Sequence, residues 1–242
     1  MNHRVNARMS CPLALLLAVW GPALTAGLET AARSKDLVAG GGPVPTVVCL
    51  GDSITHAGYP AILEKLLPVR AINAGVGGDT TRKALKRLEA DVLARRPAAV
   101  VMFFGANDSR QDAPGSQVPL DEYEANLGEL VQRCQKAGAK VLLGTMPPID
   151  PEPYYKRHPR EKYGPLGGLE KIVESYRMAA LRVAKAKGAQ PLDLNQLLGA
   201  KPEWMNPDGV HPSPRGKEII AELVARELGP LLGATPKNRA VQ

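Results

Sequence analysis

A chain of 242 residues that is 44% hydrophobic has enough apolar material for one domain with a sizeable core, and its length calls for no second. Its formal charge of +7 is scattered along the sequence rather than gathered into a basic run, which removes the case for nucleic acid as a partner. Of the cysteines, Cys11 lies near the N-terminus, while Cys49 and Cys134 fall in apolar patterns where buried free thiols are expected.

The N-terminal segment reads as a leader. Arg4 and Arg8 precede an apolar stretch from Pro12 to Trp20, and the small residues Ala23 and Ala26 follow, which is the three-part layout of a secretory signal. The stretch is too short to span a bilayer, and Cys11 stands on the wrong side of it for lipid attachment. Residues 1–26 are therefore expected to be a signal peptide cut near Ala26, with an uncleaved anchor as the alternative. The mature protein is expected to be secreted or periplasmic, without a stable membrane anchor. Residues 27–45 are small and charged and include Gly-Gly-Gly-Pro, a composition that suits a flexible lead-in.

From Thr46 onward strand-like and helix-like patterns alternate. Strands are expected at Thr46 to Leu50, Val69 to Asn73, Ala99 to Phe104, Lys140 to Gly144 and Gln190 to Leu194. The first helix pattern is short, near Pro60 to Leu67, and Thr80 or Thr81 caps a second whose Ala84, Leu85, Leu88 and Val92 recur at helical spacing. Leu120, Tyr123, Leu127, Leu130, Val131 and Cys134 stripe a third, which Gly138 ends. Ile172, Val173, Tyr176, Ala180 and Val183 mark a fourth, and the last runs from about Pro214 to Leu228. Such alternation predicts an α/β domain over residues 46–232, a parallel sheet with helices on both faces, followed by a short tail at 233–242.

Residues 147–168 interrupt the rhythm. They are proline-rich and carry Tyr154, Tyr155, Lys156, Arg157, Arg160, Lys162 and Tyr163. A long loop without structure of its own is expected here. It is either a solvated flap or a wall whose Tyr154 and Tyr155 stack on a sugar and whose cations hold an acidic group; Trp204 either lines the same pocket or packs beneath it.

Ligands of an open parallel sheet bind outside the carboxyl ends of the strands, and four polar blocks fall where they can meet there. They are Gly51-Asp52-Ser53, the stretch from Asn73 to Thr80 with Gly75, Gly77 and Gly78, the stretch from Gly105 to Asp108 with Asn107, and the late loop with Asp208 and His211. A serine hydroxyl needs a base before it can attack a carbonyl. His211 is preferred over His56 and His158 because a carboxylate, Asp208, stands three residues before it in a loop that can fold back. Backbone N–H groups of Ser53 and Gly78 and the amide of Asn107 are candidate donors to a developing oxyanion. Each residue also has a plainer reading: Ser53 as a helix N-cap, Asp208 and His211 as turn residues, and Asn107 as a turn former. Asp52, Asp79 and Asp108 read as hydrogen-bonding groups that shape the loops, and their spacing matches no calcium loop.

"GDSI" at 51, "NAGVGGDT" at 73, "GAND" at 105 and "DGVH" at 208 together resemble the SGNH hydrolases, the GDSL esterase and lipase family, over roughly Val47 to Leu231. The resemblance implies Ser53 as nucleophile, Asp208 and His211 as its partners, and Gly78 and Asn107 as oxyanion donors. It also implies a three-layer α/β/α flavodoxin-like fold with no metal and no cofactor. The partial dinucleotide fingerprint at Gly75 has Thr80 where its last glycine belongs, and the G-x-S-x-G elbow and the phosphate-binding loop are absent. The expected function is a serine esterase acting on a small-molecule or glycan ester, foremost a carbohydrate O-acetyl or other short-acyl ester. A lysophospholipase or acyl-thioesterase is the alternative within the class, and a non-catalytic module that binds a sugar or anion is the alternative outside it.

Overall fold

A computed structural model of the protein describes residues 43–199 and 201–235. The expected leader, nearly all of the lead-in and most of the tail lie outside the described residues. Five strands, β1 (Thr46–Gly51), β2 (Arg70–Gly75), β3 (Ala99–Phe103), β4 (Lys140–Gly144) and β5 (Gln190–Leu192), form one all-parallel sheet in the order β2-β1-β3-β4-β5. Each strand feeds a helical segment: α1 (Ser53–His56), α2 (Tyr59–Leu66), α3 (Thr81–Asp91), α4 (Leu120–Lys136), α5 (Pro151–Tyr155), α6 (Leu169–Lys187), α7 (Leu194–Gly199) and α8 (Pro214–Leu232). The fold is thus the three-layer α/β arrangement expected from the alternation. Strand β5 stops two residues short of the expected Leu194 because that residue already begins α7. Helix α8 runs four residues past the expected Leu228, carrying Pro230 inside its last turn and ending at the left-handed Gly233.

The three central strands β1, β3 and β4 read as nearly unbroken apolar runs because both faces of the sheet are covered there, whereas the edge strands β2 and β5 are partly exposed. Val48, Leu50, Val100, Met102, Val141 and Leu143 point to one face, where they pack against α3, α4 and α6. Val47, Cys49, Val101, Phe103 and Leu142 point to the other, against α2 and α8. Cys49 and Cys134 are free and buried, one in each layer, and burial pushes both thiols up to about 12.

The strand order places a topological switch between β1 and β3: the chain leaves β1 toward β2 on one side and leaves β3 toward β4 on the other. The crevice at their carboxyl ends is where ligands of such sheets bind. Glycines let the backbone close in around it. A Cβ on Gly75 would meet His56 N at 2.3 Å and Thr55 C at 2.7 Å, and one on Gly51 would meet Phe103 O at 2.8 Å. Arg87 then fastens the strand ends, donating to Asp79 Oδ2 at 2.8 Å, Ala74 O at 2.8 Å and Gly51 O at 3.2 Å.

Residues 147–168 correct the expectation of a structureless loop. They hold α5 and two short 3-10 turns, and Tyr154 and Tyr163 are part of the core. The apolar bodies of the two tyrosines outweigh the charged residues between them, and their hydroxyls satisfy each other at 2.8 Å. The segment therefore packs as a buttress rather than a flap.

Candidate functional site

Ser53 is the first residue of α1, directly after β1. Its expected alternative role as N-cap belongs to Asp52, whose Oδ1 accepts the Ile54 N–H at 2.9 Å. Burial pushes the Asp52 carboxyl up to about 7 against that hydrogen bond, and the nearby Asp108 and Asp79 push the same way. Asp108, raised to about 6 by burial, accepts from Thr81 N at 2.9 Å and Thr81 Oγ1 at 2.6 Å. All three aspartates shape loops through hydrogen bonds, as read from the sequence.

The late loop is folded back on itself. An antiparallel bridge joins Met205 to Pro212, Asn206 N donates to His211 O at 2.8 Å, and Ser213 N donates to Trp204 O at 2.8 Å. Asp208 Oδ1 accepts the N–H groups of Val210 and His211, both at 2.9 Å. These bonds and the His211 ring hold the Asp208 carboxyl below its ordinary value, overcoming the opposing effect of burial. From Asp208 Oδ2 the chain of contacts continues to His211 Nδ1 at 2.6 Å, and from His211 Nε2 to Ser53 Oγ at 3.0 Å. Ser53 and His211 are far apart in sequence and meet only because β1 and α8 are packed in adjacent layers.

Asn107 follows β3 and reaches the same point. Its amide donates to Asp79 O at 2.9 Å and to Asp52 Oδ2 at 3.4 Å, linking three of the four sequence blocks. His56 turns away, with Nδ1 on Gly75 O at 3.2 Å. A cavity of about 300 Å³ opens over Ser53, Asn107 and His211. Arg110, Arg157 and His158 add polar groups to its wall, and Ala106, Tyr154 and Val210 add apolar surface. Two larger hollows, of about 680 and 460 Å³, lie against α4, α6 and the start of β4, and none of the four blocks lines them.

Several expected substrate contacts fall elsewhere. Trp204 is buried against α8, where a Cβ on Gly216 would strike its carbonyl, and it does not line the cavity. Tyr155 does not line it either; its ring lies under the Arg160 guanidinium and its hydroxyl accepts the Leu169 N–H at 3.0 Å. Gly78 adopts φ +72°, with open space where a Cβ would be, and is not part of the cavity wall. Arg110 and His158 were not singled out from the sequence. The usable signal for Arg110 was its position three residues after Asn107 in the same strand-end loop.

A hydroxyl, an imidazole and a carboxylate in hydrogen-bonded order at a strand end form a set able to move a proton off the hydroxyl. The GDSL-like lipase/acylhydrolase family model matches residues 49–219, from β1 into α8, and so takes in all four blocks. The chain belongs to that family. A mouse protein named isoamyl acetate-hydrolyzing esterase 1 homolog is 35% identical over 195 residues, covering 73% of this chain and 78% of its own length. The crystal structure of a lipase/acylhydrolase from Enterococcus faecalis superposes with a TM-score of 0.65 at 27% identity, over 81% of this chain and all of the other. An acetylxylan esterase from Geobacillus stearothermophilus gives a TM-score of 0.64 at 26% identity, over 81% and 96% of the two chains. This GDSL-like chain is accordingly an esterase or acylhydrolase with the SGNH hydrolase fold. Among the described residues, no helix is long and apolar enough to cross a membrane, and no group of three His, Cys, Asp or Glu side chains is placed to hold a metal ion.

Proposed function

We propose that the protein hydrolyses short-acyl carboxylic esters through an acyl-enzyme on Ser53, with O-acetyl esters of a carbohydrate as the foremost substrate class. The observation that carries this reading is the 3.0 Å contact between Ser53 Oγ and His211 Nε2. With the Nδ1 proton directed at Asp208, Nε2 has its lone pair free. It takes the Ser53 proton as Oγ attacks the carbonyl carbon, then gives that proton to the departing alcohol oxygen. Water repeats the sequence on the acyl-enzyme, releasing the acid and restoring Ser53. Asp208 stays ionised throughout and stabilises the imidazolium.

Charge developing on the carbonyl oxygen is met by Ser53 N–H and the Asn107 amide in the cavity wall, with Gly78 N–H, outside that wall, as the third donor. Ser53 N–H opens α1 and so has no helical carbonyl to bond; Gly78 N–H lies at a turn where no Cβ obstructs approach. Both amide hydrogens of Asn107 are engaged, and the longer contact, 3.4 Å to Asp52, is the one exchanged for substrate oxygen. The small cavity supports a short acyl group, and the Asn107, Arg110, Arg157 and His158 side chains on its wall offer hydrogen bonds to an oxygen-rich alcohol. The mouse protein is named for isoamyl acetate and the Geobacillus protein for acetylxylan, both acetyl esters, which supports the same acyl group. The N-terminal leader pattern supports export to the periplasm or medium.

Treatment with a serine-reactive fluorophosphonate, followed by mapping of the adduct, tests the mechanism. Labelling of Ser53 is expected, and an unlabelled Ser53 refutes the mechanism. Rates across acyl chains test the substrate class: kcat/KM should be highest for acetyl and fall with length, and a steady climb toward long chains refutes the acetyl assignment.

A further inference from the structure

The cavity over Ser53 has two guanidinium groups on its wall that ester hydrolysis does not require. Arg110, Arg157 and His158 line it together with Ser53 and His211, and none of its lining residues is an Asp or Glu. The nearest acids stand behind these side chains. Asp112 accepts from Arg110 Nε at 3.2 Å and Nη2 at 2.9 Å, bonds His158 Nδ1 at 2.8 Å and accepts from Tyr163 at 2.9 Å. That leaves Arg110 Nη1 and His158 Nε2 outside those bonds. Arg157 Nη2 donates to the Asp208 carbonyl, with Nη1 4.0 Å from its carboxylate. Asp112 itself is 11% exposed. Burial alone would push its carboxyl up, but the bonds from Arg110, His158 and Tyr163 hold it well below the usual range, so it is ionised and fixes the donors in place.

We propose that the substrate ester carries a carboxylate close to the scissile bond, held by Arg110 and Arg157. This rests on the hydrolase reading above and adds the charge of the substrate to it. A neutral ester meets the two guanidinium groups only with uncharged acceptors, no stronger than the water it displaces. A carboxylate replaces them with charge-assisted bonds, and donors fixed in advance lose little freedom on binding. Pinning the 147–168 segment does not require Arg110, because Tyr163 and His158 already tie that segment to Asp112. The carboxylate can sit on the acyl side, as in a dicarboxylic half-ester, or on the alcohol side, as in an acetylated uronic sugar.

Two matched substrate pairs test this. One is 4-nitrophenyl hydrogen succinate against 4-nitrophenyl butyrate; the other is an acetylated methyl galacturonoside against the corresponding galactoside. In at least one pair the anionic member should have a kcat/KM about tenfold higher or more, the size of one charge-assisted hydrogen bond, and the pair that shows it locates the carboxylate. Arg110→Gln should bring that ratio back toward one. Raising salt from about 0.05 to 0.5 M should raise KM for the anionic member only, a measurement on the native protein that decides the matter even where Arg110→Gln fails to fold. Hydrolysis with the neutral member preferred in both pairs overturns the carboxylate proposal alone. No hydrolysis of any substrate, with Ser53 unlabelled by fluorophosphonate, overturns the hydrolase reading and this proposal with it.

Discussion

Replacing Ser53 by alanine separates a structural role from a chemical one, because the structure assigns the capping of α1 to Asp52. The variant keeps the 2.9 Å cap bond and loses the 3.0 Å contact to His211, a ring that is 40% exposed. A hydrogen bond between partly exposed groups contributes about 0.5–1.5 kcal/mol, and alanine recovers roughly 0.5 kcal/mol through helix propensity. The net loss should therefore stay within about 1 kcal/mol, a shift in Tm of roughly 2–4 °C for a domain of this size. Hydrolysis should fall by about 10⁶-fold, the scale seen when a nucleophilic serine is removed from an enzyme of this type. Thermal unfolding and turnover of 4-nitrophenyl acetate, measured on the same preparation, give both numbers. Retention of more than about one hundredth of the activity, or a Tm drop far outside that range, would refute the reasoning.

Asp208→Asn should lower kcat by about 10³–10⁴-fold while the protein stays folded, since the 2.6 Å contact that orients His211 loses its charge; steady-state kinetics check it, and a loss under tenfold counts against the orienting role. Folding stability should decline as pH rises from 5 to 8. Asp52 and Asp108, raised to about 7 and about 6 from an ordinary 3.8, bind more protons folded than unfolded. Their contribution is complete below the unfolded value and is lost as pH passes through the folded one, by a few kcal/mol in all. Urea midpoints across that range should show the decline, and Asp52→Asn should flatten it; an unchanged slope would refute the assignment. Gly75→Ala should cost about 3 kcal/mol or more, because the added Cβ would sit 2.3 Å from His56 N and drive α1 off β2. Calorimetry reads this, and a stable variant of full activity would show that α1 tolerates displacement.

The central strands were legible because a sheet buried on both faces needs apolar residues at nearly every position: Val47 and Cys49 serve one layer, Val48 and Leu50 the other. Helix α1 was not distinguishable from the sequence pattern, since a single turn of four residues is too short to show a period. The 147–168 segment looked like a loop by composition. Prolines and charges dominate it, and the burial of Tyr154 and Tyr163 depends on Asp112 and on a core contributed by distant elements. Trp204 illustrates the same limit, since nothing near it in sequence says that Gly216 makes room for its backbone beneath α8.

By itself the sequence determined the layered architecture, the strand ends and late loop that carry the polar blocks, and the residue types able to do acyl chemistry, because periodicity and loop composition are local properties. Tertiary structure alone decided which groups touch. Parallel pairing of β1 with β2 and β3 brings their carboxyl ends to one crevice, and the folded-back loop before α8 lays His211 across it at 3.0 Å from Ser53. It also set Arg110, His158 and Tyr163 around one partly buried carboxylate, that of Asp112. Such contacts depend on packing between layers, so which cations face the cavity, Arg157 from the expected loop and Arg110 from outside it, was decided only by folding.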